Sequence, residues 1–153
     1  MRQALGWVTV AGMLVMGMSS AGDDTLTDDQ QAVVAVVQDA YVDGIHNFRR
    51  VEAVRRGFHP GFEMLILQND SLAKLPIYAW IENLERANRD NPLPDDHAPT
   101  TTARYLSVDV TGDAAVVKFE LIRDKKVVFT DYLSLYRFSD GWKIVGKIFH
   151  RHP

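Results

Sequence analysis

The chain contains no cysteine. That excludes disulfides, thiolate metal ligands and lipid attachment through a cysteine. Positive charge is also scarce: 17 Lys and Arg stand against 20 Asp and Glu, for a net charge of −3, and no sustained basic run occurs. A nucleic-acid partner is therefore not expected. No glycine-rich phosphate loop follows a strand, and no Gly-x-Ser-x-Gly nucleophile motif is present. His46, His59, His97, His150 and His152 show no two-histidine helical spacing with a carboxylate, so no metal site is expected. No cofactor is implied, and internal repeats and low-complexity segments are absent.

What is there fits one domain. A chain of 153 residues can bury a real core, and 46% hydrophobic with 24% charged residues is an ordinary globular balance. The first residues have a separate role. Arg2 precedes an uncharged apolar run over residues 4–18, then Ser19, Ser20 and Ala21. This is the layout of a secretory signal peptide cleaved after Ala21. The run falls short of the roughly 20 residues a spanning helix needs. The expectation is a signal peptide over residues 1–21 and a mature domain over residues 22–153, exported to the periplasm or medium, with no stable membrane anchor after cleavage.

Thr27, followed three residues later by Gln30 with Asp28 and Asp29 between them, predicts a helix start. Val33, Val34, Val37, Ala40, Tyr41 and Ile45 continue it as a buried stripe to about Asn47. A short helix to Arg56 ends at Gly57, before Pro60. Residues 62–70 read as a strand entering an Asn-Asp-Ser turn. Pro76 opens a third helix carrying Ile77, Trp80, Ile81 and Leu84, and a polar, proline-rich loop follows Arg89. Strands are predicted over residues 103–110, 114–122, 127–138 and 142–150. The fold class is α+β: three N-terminal helices packed on a curved antiparallel sheet.

Turn lengths predict the faces of this meander. Ser139-Asp140-Gly141, taken as a type I turn with a glycine bulge, places Phe138 and Trp142 on one face. Thr130, Tyr132, Ser134 and Tyr136 share it, as do Ile144, Gly146, Ile148 and His150. Pairing Ile122 with Val127 sets Val117, Phe119 and Leu121 on this same face, which should meet the helices. The outer face then holds Lys118 opposite Asp131. It also holds Phe129, Leu133, Leu135, Val145 and Phe149, an apolar surface that a sheet-to-sheet homodimer would cover.

The segments "YVDGIHN", "FHPGFEM", "VDVTGDAAVVKFEL" and "FTDYLSLYRFSDGWKIVGKIFH" resemble the group labelled "putative lumazine-binding" within the nuclear transport factor 2-like superfamily. The resemblance implies a cone-shaped α+β barrel enclosing a pocket, and frequent dimerisation. It carries no ligand over. The expected ligand-binding set is Tyr41, His59, Trp80, Thr130, Tyr132, Ser134, Tyr136, Trp142 and His150: hydroxyls, imidazoles and rings among apolar walls. Catalytic candidates are His46 and His150 as bases and Tyr132 as a donor to a developing oxyanion. Each has a plain alternative. His46 can serve the helix end, His59 can satisfy backbone at a tight corner, and the tyrosines can bond to one another. Asp109 and Asp131 are expected to point outward; Asp39, Asp43 and Glu63 have no defined aim. Three functions follow: an exported small-molecule binder for an apolar or aromatic ligand, a cofactor-independent acid–base enzyme, or an assembly module.

Overall fold

In a computed structural model, residues 25–153 are described; the expected signal peptide lies outside them. Thr27 caps the first helix as predicted. Its Oγ1 accepts from Gln30 N–H at 3.3 Å, while Gln30 Oε1 accepts from Thr27 N–H at 2.9 Å. A cap of this kind is worth about 1 kcal/mol. Helix α1, Asp28–Val36, runs straight into a π-helix, Val37–Asn47. Its i→i+5 bonding, seen where Phe48 N–H donates to Asp43 at 2.8 Å, brings residues five apart onto one face. That is how Tyr41 and His46 come to lie with ring centroids 4.8 Å apart.

Helix α2, Val51–Gly57, leads into strand β1, Phe58–Gln68. Strand β2, Ser71–Pro76, was not expected from its exposed, unpatterned residues; it pairs with β1 across the Asn69-Asp70 turn. Helix α3, Ile77–Asp90, buries Ile77, Ile81 and Leu84. Strands β3 (Thr101–Thr111), β4 (Ala114–Arg123), β5 (Lys126–Phe138) and β6 (Gly141–Arg151) complete a six-stranded sheet, ordered β2-β1-β6-β5-β4-β3. The α+β class with three helices on the sheet holds. The sheet is mixed rather than wholly antiparallel, because β1 runs parallel to β6, and β2 and β3 remain as open edges.

The registers of β5 and β6 differ from the expected ones by single residues. The β5–β6 turn has two residues, so Phe138 pairs with Gly141 and Arg137 with Trp142. Ile122 does pair with Val127. Val128 is then extra, and Leu121 meets Phe129, Phe119 meets Asp131 and Val117 meets Leu133. A second extra residue, Val145, separates the Leu135–Ile144 pair from Ser134–Gly146 and Leu133–Lys147. Each bulge moves every later side chain of its strand to the other face.

The faces of β5 and of late β6 are therefore exchanged, while Val117, Phe119, Leu121, Trp142 and Ile144 face inward as expected. Leu133 and Leu135 are core residues, and Phe129 and Phe149 pack against that core; Tyr132, Tyr136 and Ile148 are exposed. Asp131, expected outward beside Lys118, is completely buried. Lys118 instead stands opposite Tyr132, its ammonium 5.6 Å from the ring centre. The core gains three large apolar residues of β5 this way, at the cost of one carboxylate.

Candidate functional site

Between helices and sheet, rings pack on one another: Tyr41 edge to face on Trp80 and Phe119 and tilted on Phe58, and Phe58 edge to face on Phe62. Three polar groups from three elements meet inside this shell. The Tyr41 hydroxyl, from the π-helix, donates to Asp131 Oδ2 of β5 at 2.7 Å. Lys147 Nζ of β6 donates to the Tyr41 oxygen at 2.5 Å and lies 3.1 Å from Asp131 Oδ1. That last contact is an ion pair without hydrogen-bond alignment, so Oδ1 has no directed donor. Four rings surround the ammonium, with centroids at 4.6 Å (Phe149), 4.8 Å (Tyr41), 5.8 Å (Trp80) and 5.9 Å (Phe129).

The two bulges create this cluster. Without Val128 as an extra residue, Asp131 would face outward; without Val145, Ile148 would replace Lys147 inside. Burial disfavours both charges. It pushes the Asp131 carboxyl above its usual range, an effect that Lys147 and Tyr41 oppose. It draws the Lys147 ammonium below its usual range, against the pull of Asp131. The Tyr41 phenol is raised by burial and then by the Asp131 charge, so it stays neutral.

His46 adjoins the cluster. Arg123 Nη2 lies 2.8 Å from its Nδ1, and Arg123 Nε donates to Thr101 Oγ1 at 2.9 Å. A guanidinium can only donate, so Nδ1 accepts and Nε2 carries the proton. Nε2 is buried without a partner. Burial, followed by the Lys147 and Arg123 charges, lowers the His46 pKa from 6.5 to about 3. The ring is thus a neutral hydrogen-bond donor at pH 7, not a base poised near neutrality. Asn47 holds the nearby strand start: its amide donates to Thr101 O and accepts from Thr100 and Thr101 N–H, at 2.9 to 3.1 Å.

The other sequence candidates separate. Trp80 joins the cluster. Trp142 is core beneath the Arg137 guanidinium, 5.3 Å from its ring centre. His59 satisfies a tight corner, its Nδ1 accepting from Gly61 N–H at 3.0 Å, and stacks on Phe138. Thr130 bonds His152 Nε2 at 2.9 Å, and exposed His150 lies edge-on to His152. Tyr132 and Ser134 line an outer groove of 540 Å³ with Gly61, Glu63, Gly146 and Ile148. Ser134 and Tyr136 line a second groove of 280 Å³ with exposed Asp109. Tyr132, Ser134 and Tyr136 therefore do not meet Tyr41 and Trp80. Asp39 pairs with Arg50 and Arg56, Asp43 bonds Asn47, and Glu63 pairs with Lys74.

Lys147 and Arg123 escaped the sequence reading. One signal was available for Lys147: an isolated glycine within a strand, Gly146, marks a bulge. Among the described residues, no group of three or more His, Asp or Glu is placed to hold a metal ion, and no helix is long and apolar enough to cross a membrane.

A family model described as "Putative lumazine-binding" matches residues 28–150. No curated protein matches the chain. Among solved structures, a nuclear transport factor 2-like protein of unknown function from Silicibacter pomeroyi is similar at TM-score 0.63 and 23% identity, over 80% of this chain and 94% of that one. One from Shewanella baltica, also of unknown function, is similar at TM-score 0.62 and 22% identity, over 84% and 99%. A structure described as a putative aromatic ring hydroxylase from Novosphingobium aromaticivorans is similar at TM-score 0.56 and 16% identity, over 82% and 90%. At these identities the likeness is one of fold alone.

Proposed function

The chain belongs to the "Putative lumazine-binding" family and has the nuclear transport factor 2-like fold, and from that premise we propose that it binds a small, largely aromatic molecule between its helices and its sheet. The observation that carries this is the buried Tyr41–Asp131–Lys147 cluster, aimed inward by two bulges. A buried ion pair is weak evidence for stability, since apolar residues of like volume often serve as well. Its presence beneath aromatic rings matches the composition of ligand sites: apolar walls with a few placed polar groups and perturbed titrations.

Trp80, Phe129 and Phe149 are only partly buried, and a flat ligand would enter among them. The unpartnered His46 Nε2–H then offers a donor to a ligand oxygen, and Asp131 Oδ1 an acceptor to a ligand N–H. The family description supports lumazine, a flat bicyclic heteroaromatic, as the first probe. Titration calorimetry should give micromolar binding to the wild type, with about tenfold or greater weakening in Lys147→Met. Equal affinity in the two proteins would rule out the interior site. Mass spectrometry of small molecules that co-purify with the native protein identifies the ligand itself.

The N-terminal layout of residues 1–21 supports export to the periplasm or medium, and the intact mass of the mature protein tests cleavage. A homodimer through the outer sheet face keeps support from different residues than the sequence suggested. Val116, Tyr132, Tyr136 and Ile148 are exposed there, about the two outer grooves. Light scattering should give twice the monomer mass, and Ile148→Lys should return it to one. A wild-type monomer at high concentration rejects the dimer.

A further inference from the structure

We propose that Lys147 is a reactive amine that condenses with the carbonyl group of an aromatic aldehyde or ketone held in its ring cage. The inference rests on the reading that an aromatic ligand enters between helices and sheet by parting the half-buried rings of Trp80, Phe129 and Phe149.

Three features of the geometry point to it. The nitrogen is surrounded by four rings, so an aryl carbonyl would lay its own ring against apolar surface while presenting carbon to the amine. A proton acceptor is already in place, because Asp131 Oδ1 is 3.1 Å away with no other directed donor. A neutral hydroxyl, Tyr41, touches both groups and can pass a proton between them. The lowered proton affinity of the buried ammonium and the raised affinity of the carboxyl act in the same direction. Both favour transfer from nitrogen to oxygen, which frees the lone pair.

The step balances without an oxidant or reductant. Lys147 gives one proton to Asp131, and its lone pair attacks the carbonyl carbon. The C=O π bond opens, and the oxygen takes a proton through Tyr41. The attacking nitrogen supplies that proton, which gives a neutral carbinolamine. Asp131 then returns its proton to the hydroxyl, which leaves as water, and the nitrogen lone pair forms a protonated C=N bond paired with the Asp131 carboxylate. Addition of water reverses every step.

The full chain is incubated at pH 7 with benzaldehyde and cyanoborohydride, which reduces the imine to a stable benzylamine, and peptides are read by mass spectrometry. Lys147 should be labelled about tenfold faster than Lys125 or Lys126, which sit exposed in and beside the β4–β5 turn. Labelling of Lys125 and Lys126 with Lys147 untouched overturns the proposal. Benzyl alcohol, which has the ring but no carbonyl, separates the two levels of inference by calorimetry. Its binding without any Lys147 adduct overturns the imine alone; absence of both binding and adduct removes the interior pocket as well.

Discussion

Lys147→Met should lower folding stability by about 3–5 kcal/mol, read by urea denaturation, because it strands Asp131 as an uncompensated buried charge. Methionine fills nearly the same volume, so the loss is not a cavity effect. The Tyr41 oxygen also loses its donor. Replacing all three polar groups, in Tyr41→Phe/Asp131→Leu/Lys147→Met, should return stability to the wild-type value or exceed it. The four rings around the ammonium would then pack on apolar atoms. That triple variant should fold, and it should neither bind the aromatic probe nor form an adduct. A triple variant as unstable as Lys147→Met would mean that side-chain shape, rather than charge, sets the cost. A triple variant that still binds the probe would place the ligand elsewhere.

The second large effect is a pH dependence specific to His46. Its pKa is about 3 in the folded protein and 6.5 as the ordinary value expected on unfolding. Between these values the unfolded chain binds a proton that the folded chain refuses, so stability rises with pH across the window. The contribution is complete above 6.5 and is lost as pH falls toward about 3. At 1.36 kcal/mol per pKa unit the loss reaches at most about 5 kcal/mol. Asp131 acts with opposite sign, since its raised pKa favours the folded state at lower pH. Subtracting the curve of His46→Gln from that of the wild type separates the two groups. The difference should slope between pH 7 and pH 3; parallel curves would show that His46 takes up a proton as readily in the folded chain as in the unfolded one, and so is not held neutral by its surroundings.

How much of the site was legible varies by residue. Tyr41 and Trp80 were found from helical periodicity, because both lie on buried stripes whose phase a helix keeps over short distances. His46 was noticed, but its role depends on Arg123, which lies 77 positions away. Turn length points Asp131 outward, whereas the structure buries it completely. The turn reading outweighed a simpler signal, that Leu133 and Leu135 alternate with Tyr132, Ser134 and Tyr136 and are far the more apolar set. Strict period 2 through Gly146 puts Lys147 on the outer face, and the extra residue Val145 turns it inward. The π-helix had no signature distinct from an α-helix, since over eleven residues the apolar positions suit either.

By itself the sequence determined the class of the fold, the capped start of the first helix, the order of the helices and of every strand but β2, and the inward face of β4. These depend on neighbours a few residues apart, where propensity, capping and periodicity act. Only the tertiary structure decided which faces of β5 and late β6 turn inward, and hence whether a carboxylate and an ammonium meet beneath Tyr41. The physical reason is the two-residue repeat of a strand. One bulged residue at Val128 and one at Val145 reverse every side chain beyond them. The chain accepts those bulges because together they bury Leu133, Leu135, Phe129 and Phe149 with the core, a gain visible only once helices and sheet are packed.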